Sequence, residues 1–279
     1  MISVENMLLA LGIASIALFI YIIIAFIVCT IKKNNGLMDV FYGPGYVVTS
    51  LTALIVSLLL GNTLNIRQIV MNVLVIFWAI RLGTYVYIRN RGKPEDRRYA
   101  RRRDEWKYFL LQSFFRQFLF QGVVILIVDI PVWFTNINES PPVTNLLDFY
   151  GITLWLGGII WLIGFIFETL GDWSLYKFLS KPENRGKVMD KNVWKYTQHP
   201  NYFGEVTQWW GLFVIALAVN FPFGLITVIG PAYITFQIIK VSGVRLLDKA
   251  FEGNEEYQAY KRRTSSFIPW FPKKDKTKG

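Results

Sequence analysis

A continuous apolar run at residues 8–31 constrains the fold of this chain more than any other feature of its sequence. A run of about two dozen residues is long enough for a helix to cross the hydrocarbon core of a bilayer. Further apolar runs follow at residues 46–60, 66–88, 114–134, 149–167, 202–220 and 225–239. With 53% hydrophobic residues, the chain of 279 residues is too apolar for an ordinary soluble domain. The sequence therefore predicts an all-α, multi-pass integral membrane protein with about seven transmembrane helices.

The first run is interpreted as a retained span and not as a signal peptide. A secretory signal has a basic segment before its apolar region and a small-residue cleavage site after it. Neither feature flanks residues 8–31. We therefore expect one membrane domain over residues 1–279, with a basic tail at residues 273–279.

The basic residues predict the orientation of the spans. When the connections are assigned alternately to two sides, one side receives nearly all of the 30 Lys and Arg residues, and the loops of the other carry only Arg67. The positive-inside rule then gives an outside N-terminus and a cytoplasmic C-terminus. Topology and contact with anionic membrane lipids thus account for the net charge of +11, and no nucleic-acid partner is expected. The single cysteine, Cys29, excludes an internal disulfide and a cysteine-rich metal site.

Polar residues lie at the entrance of the second predicted span and near the end of the third. The glycine-rich residues 36–47 are expected to form the first cytoplasmic loop, which holds Asp39. This loop is either a flexible turn with an aromatic anchor or the lining of a cavity that Asp39 faces. Arg81 and Tyr85 lie four residues apart and share one helix face. Arg81 either reaches lipid phosphate or binds an anionic ligand, and both interpretations stay open.

The fifth predicted span ends in two acids. Glu168 and Asp172 lie one helical turn apart, and Lys177 and Lys181 follow them. These charges form either a salt-bridged helix at the membrane interface or a site where acids bind hydroxyl and amide groups and cations bind phosphate.

Residues 194–211 contain His199, the only histidine. Pro200 suits the first position of a helix, so a helix is expected to begin there. Helical spacing then places Asn201, Glu205 and Gln208 on one side of an otherwise apolar segment. The free N–H groups at such a helix start, with Lys195 and Asn201, offer donors to an anion.

The motif HPNYFGE with the later WWG, in its surroundings at residues 149–272, resembles the C-terminal domain of the steroid 5-alpha-reductase family, and its bacterial branch in particular. The segments DVFYGPG and RLGTYVYIRNRGKPEDRRY extend the likeness toward the N-terminus. The same superfamily holds sterol carbon-14 and carbon-24 reductases and is similar to the isoprenylcysteine methyltransferases. The resemblance implies a seven-helix membrane reductase that binds NADPH in a cytoplasm-facing cavity without a Rossmann fold.

By position, Asp172, Asn201 and Arg245 match cofactor-contacting residues of these reductases, with weaker matches at Tyr202, Lys93 and Lys181. The expected reaction is hydride transfer from NADPH to a conjugated alkene of a lipid-soluble substrate, followed by protonation. The candidate catalytic residues are Tyr202, Glu205, Tyr85, Asp39 and His199. The candidate cofactor-binding residues are Asp172, Asn201, Arg245, Lys181, Lys93, Arg81 and Glu168, and no metal is expected.

Two other functions compete with reduction. A methyltransferase would use the HPNY segment with Glu255 and Glu256 to bind S-adenosylmethionine. A non-enzymatic lipid or membrane scaffold is the other alternative, although acidic residues buried in a membrane protein cost free energy and are usually kept for a function. The bacterial likeness favours the cell membrane as the location, and the sequence specifies neither the lipid substrate nor the oligomeric state.

Overall fold

The computed structural model describes residues 3–244, 251 and 253–273. Within these residues the regular structure is helical, and the only extended pairing is an isolated bridge between Thr197 and Ser265. The α-helices are α1 (Val4–Ile31), α2 (Met38–Leu59), α3 (Ile66–Asn90), α4 (Arg97–Glu105), α5 (Phe109–Ser113), α6 (Phe120–Val128), α7 (Ile130–Ile137), α8 (Phe149–Leu179), α9 (Pro200–Ala216), α10 (Ile229–Phe236) and α11 (Glu255–Arg263). The π-helical segments Phe114–Leu119 and Gln237–Ser242 continue α5 and α10, and the 3₁₀ helix Phe223–Val228 precedes α10.

Six of the seven predicted spans are confirmed as long apolar helices. Among the described residues, six helical segments are long and apolar enough to cross a membrane. They are Val4–Ile31, Asn35–Leu59, Ile66–Asn90, Phe109–Val128, Phe149–Leu179 and Phe223–Val241. The remaining predicted span, residues 202–220, corresponds to α9, which has 17 residues. The chain is thus an all-α multi-pass membrane protein, and its helix count is close to the predicted one.

The described residues belong to two compact units. The first comprises Met1–Leu156 and Leu212–Gly230, and the second comprises Gly157–Gly211 and Pro231–Gly279. In the first unit α1 packs against α2, and α2 packs against α3 and α7. The buried residues of α1 recur every three or four positions and include several small ones, so that α1 presents one narrow stripe to its neighbours. These residues are Ala10, Ala14, Leu18, Ile22, Ala25 and Cys29.

The glycine-rich residues 36–47 are not a loop, and this part of the sequence interpretation is wrong. They lie in a short 3₁₀ turn, Asn35–Leu37, and in the first turns of α2. A Cβ atom at Gly43 would lie 3.2 Å from the Cα of Ala79 on α3. A Cβ atom at Gly45 would lie 2.7 Å from the Cδ1 of Ile125 on α6. The glycines therefore permit close helix packing and do not provide a turn.

Several polar side chains inside the first unit are paired between helices. Asn136 on α7 donates from Nδ2 to the Ser50 carbonyl at 2.8 Å and accepts at Oδ1 from Asn72 Nδ2 at 2.8 Å. Arg67, which was expected among loop residues, is fully buried in the first turn of α3. It donates to Thr153 Oγ1 at 3.2 Å and to the carbonyl of Tyr150. Because the hydrocarbon core of a bilayer offers no hydrogen-bond partners, polar groups of membrane-spanning helices need partners within the protein.

Candidate functional site

The second unit contains two helix segments that approach each other at backbone distance. A Cβ atom at Gly204 of α9 would lie 2.4 Å from the Glu168 nitrogen and 2.5 Å from the Gly164 carbonyl oxygen of α8. A Cβ atom at Gly211 would lie 2.7 Å from the Gly157 carbonyl oxygen. Small residues at such contacts let two helices pack more closely than side chains would otherwise allow. The polar residues beside the glycines are thereby brought within hydrogen-bonding distance.

Three buried polar side chains and the partly buried Asn201 meet along this contact. We call them the acid–amide cluster: Glu168 and Asp172 of α8 with Asn201 and Gln208 of α9. Gln208 donates from Nε2 to Glu168 Oε2 at 2.6 Å. Asn201 donates from Nδ2 to Asp172 Oδ1 at 3.1 Å. Glu168 and Asp172 are only 2% and 5% exposed, so that both carboxyl groups are removed from bulk water. Burying carboxyl groups in a membrane bundle is costly unless partners or a function compensate.

The amide oxygens of the cluster accept no hydrogen bond from the part of the chain that the structure describes. Asn201 Oδ1 and Gln208 Oε1 are buried, and no group in the described part of the chain donates a hydrogen bond to either atom. A buried acceptor without a donor costs roughly 1–3 kcal/mol. Both atoms, which lie beside two buried acids, are able to accept a hydrogen bond from a hydroxyl or amide donor. Gln208 was not among the predicted site residues, although its spacing from Asn201 and Gly204 places all three on one face of α9.

His199 lies immediately before α9 and is buried. Its side chain is 1% exposed, and its ring stacks on Tyr202 with a centroid separation of 5.7 Å. A Cβ atom at Gly243 would lie 3.0 Å from Tyr202 Cε2, so that the segment after α10 packs on the same ring. The structure thus brings His199 and Tyr202 together, next in sequence to Asn201.

The remaining predicted residues of the second unit lie outside the cluster or outside the described residues. Lys181 is exposed and lies 3.8 Å from the carboxylate of Glu183. Glu205 is half-buried on α9. Arg245, predicted to bind the cofactor, lies outside the described residues.

The start of α9 is held by the segment that follows α11. The backbone N–H of Gln198 donates to the Ser265 carbonyl at 2.9 Å, and Gln198 Nε2 donates to the Thr264 carbonyl at 2.7 Å. The buried hydroxyl of Tyr260 donates to the carbonyls of Trp194 at 2.6 Å and Thr197 at 3.2 Å. These bonds fix residues 194–198 and thereby the position from which α9 begins.

We expect the Tyr260→Phe substitution to destabilise the protein by about 1–3 kcal/mol, because it leaves two carbonyls without their donor. Burial raises the pKa of the Tyr260 hydroxyl. The stabilisation is therefore complete below the ordinary tyrosine pKa of about 10 and is lost as pH rises through the higher folded-state pKa. Unfolding in detergent at neutral and alkaline pH measures both effects, and the phenylalanine variant should lack the alkaline loss due to this group. Tyr176→Phe is the control, since its hydroxyl makes no hydrogen bond within the described residues.

The first unit contains the other predicted site residues. Asp39 accepts a hydrogen bond from the Tyr99 hydroxyl at 3.3 Å and lines a cavity of 380 Å³ together with Lys93. Tyr85 is buried on α3, where the guanidinium groups of Arg81 and Arg89 lie 5.7 and 5.5 Å from its ring centroid. The cavity also has Arg89, Arg91 and Asp96 in its lining, so that its walls carry both charges.

The fold and this cluster define a multi-pass helical membrane protein with paired acids and amides buried between two closely packed helices. The chain belongs to the family described as Protein of unknown function (DUF1295), whose match covers residues 25–264. Every predicted site residue lies within the matched range. No curated protein matches the chain, and no solved structure matches it.

Proposed function

We propose that this protein is an NADPH-dependent membrane reductase that saturates a conjugated carbon–carbon double bond of a lipid-soluble substrate. The observation that carries the proposal is the acid–amide cluster. Its two buried acids are oriented by two amides, and the oxygen atoms of those amides have no donor in the described chain. Buried polar groups of this kind are expensive to keep unless they bind a ligand.

The chemistry of the cluster fits this cofactor. The ribose hydroxyls and the carboxamide of NADPH are donors, and Asn201 and Gln208 present buried oxygens that accept. The N–H groups at the start of α9 favour a negatively charged ligand group. The resemblance assigns Asp172, Asn201 and Arg245 to the same role.

NADPH, when bound, supplies a hydride to the β-carbon of the alkene. The chain must supply the rest: a donor to the carbonyl oxygen of the substrate and a proton for the α-carbon. The ring of Tyr202 stacks on that of His199, and Glu205 lies one turn later on α9. Tyr85 and Asp39 are the candidates in the first unit. Tyr85 is buried, whereas Tyr202, Glu205 and Asp39 are partly buried.

The methyltransferase alternative gains no specific support. Glu255 and Glu256, its expected acids, are exposed in the first turn of α11, in contrast to Glu168 and Asp172. It is therefore kept as one arm of the experiment.

Thermal unfolding of the purified protein in lipid nanodiscs, with NADPH or S-adenosylmethionine added, tests the proposal. A ligand at 100 times its dissociation constant stabilises the folded state by about 2.7 kcal/mol. We expect NADPH to raise the melting temperature and S-adenosylmethionine to leave it unchanged. If only S-adenosylmethionine raises the melting temperature, methyl transfer replaces reduction as the proposed reaction. If neither compound raises it, both enzyme proposals for the cluster fail.

A further inference from the structure

A group of large apolar side chains is exposed on the second unit where the chain leaves α11. Ile268, Trp270 and Phe271 are 67%, 71% and 76% exposed. Tyr196 lies beside them, and its ring meets Phe271 edge-on with a centroid separation of 6.3 Å. We call these four residues the aromatic patch.

The aromatic patch is held in place by backbone pairing. The N–H of Trp270 donates to the Tyr196 carbonyl at 2.9 Å, and Thr197 Oγ1 donates to the Phe267 carbonyl at 2.7 Å. Ser265 Oγ donates to the Ile268 carbonyl at 2.5 Å. Because the backbone on both sides of the patch is paired, the outward direction of its side chains is built into the fold. A fixed, exposed apolar surface of this kind marks an interaction site.

The charge around the patch selects the partner. Lys195 lies with its Nζ 6.0 Å from the Tyr196 ring centroid, and Lys273 follows the patch directly. The sequence between residues 264 and 273 contains no acid, and it continues with three further lysines and one aspartate before Gly279. Trp and Tyr favour the interface between the hydrocarbon core and water, and lysines beside them favour acidic lipid headgroups.

We propose that the aromatic patch is an interfacial anchor that docks on the headgroup layer of an acidic membrane, with Lys195 and Lys273 contacting lipid phosphate. The apolar side chains enter the boundary between headgroups and acyl chains, and the lysines stay in the headgroup layer. The same segment is bonded to residues 196–198, which lead into α9. Docking therefore ties the start of the helix that carries Asn201 to the membrane surface.

The only cysteine of the chain, Cys29, is buried, so that a new exposed cysteine can be labelled selectively. An environment-sensitive fluorophore on Ile268→Cys reports on the patch, and the same fluorophore on Glu183→Cys, an exposed polar site, serves as the matched control. The labelled full-length protein is placed in nanodiscs of phosphatidylcholine alone or of phosphatidylcholine with phosphatidylglycerol. We expect blue-shifted emission and quenching by headgroup-level spin-labelled lipid at residue 268, stronger in the acidic nanodiscs, and neither effect at residue 183.

Two sets of variants sharpen the test. Lys195→Gln and Lys273→Gln should each lower the ratio of docked to undocked patch about fivefold in acidic lipid, and added salt should mimic them. The double variant Trp270→Ser and Phe271→Ser should abolish the quenching while the backbone bond from residue 270 to Tyr196 remains. Thermal unfolding identifies any variant that has failed to fold.

Emission that is equal in neutral and acidic nanodiscs, with no more lipid quenching than at residue 183, overturns the proposal. A blue shift that grows with protein concentration and is insensitive to quenching lipid also overturns it, because a second protein molecule would then cover the patch. These readouts require no cofactor, so that they are independent of the outcome for the proposed reductase.

Discussion

Replacing Asp172 with alanine should lower the affinity for NADPH about 10- to 100-fold while leaving the protein folded. Asp172 Oδ1 accepts the hydrogen bond from Asn201 Nδ2 at 3.1 Å. This bond orients an amide whose oxygen has no donor among the described residues. A hydrogen bond to a charged group contributes about 1.5–3 kcal/mol, which corresponds to this range in a dissociation constant. Titration of the wild type and the variant with NADPH, followed by thermal unfolding, measures the change.

Two further variants separate an effect on the site from an effect of charge. Asp172→Asn keeps the shape of the side chain and an acceptor oxygen, so that its loss of affinity should be smaller than that of alanine. Glu256→Gln removes an exposed carboxylate of the same unit and should leave NADPH binding unchanged. If the wild type binds NADPH and Asp172→Ala binds it equally well, the cofactor lies elsewhere and the acid–amide cluster is structural. If the wild type does not bind NADPH, the proposed reaction itself fails.

The second large effect should come from Gly204. A side-chain carbon at this position would lie 2.4 Å from the backbone nitrogen of Glu168, and backbone atoms of a helix cannot move aside locally. Gly204→Ala therefore forces α8 and α9 apart and should cost about 3 kcal/mol or more, since overpacking typically costs 1–3 kcal/mol even where side chains can adjust. The melting temperature should fall by about 6–12 °C.

Gly158 provides the matched control, because it lies on α8 and a Cβ atom there would meet nothing within 4 Å. Gly158→Ala should be neutral or should stabilise the protein by about 0.5–1 kcal/mol, because alanine favours a helix more than glycine does. The two substitutions add the same methyl group. A loss of unfolding free energy at residue 204 without a loss at residue 158 therefore isolates the effect of the helix contact. A Gly204→Ala protein as stable as the wild type would show that α8 and α9 do not approach as described.

Much of the helical framework could be predicted from the sequence, because a membrane span is a continuous run of apolar residues. Residues 8–31 and 66–88 correspond to α1 and α3 with shifts of only a few positions at the ends. The error at residues 36–47 has a definite cause. Glycines in a sequence suggest a turn, but Gly43 and Gly45 are needed because Ala79 and Ile125 lie against them in the folded chain. Nothing near those glycines in sequence contains that information.

The candidate site was predictable only in part. Glu168 with Asp172, and Asn201 with Gln208, could each be placed on one face of a helix from their spacing alone. Spacing could not predict which acid pairs with which amide, because the register between α8 and α9 depends on where their glycines allow contact.

The sequence by itself determined the class of this protein, an all-α membrane protein, because the length and hydrophobicity of a span are local properties of the chain. It also determined which polar residues share a helix face. Only the tertiary structure decided that Glu168 pairs with Gln208 and Asp172 with Asn201, and that the aromatic patch is presented by pairing with residues 196–198. Those contacts join residues far apart in sequence, so that their energies depend on how closely the folded backbone segments approach each other.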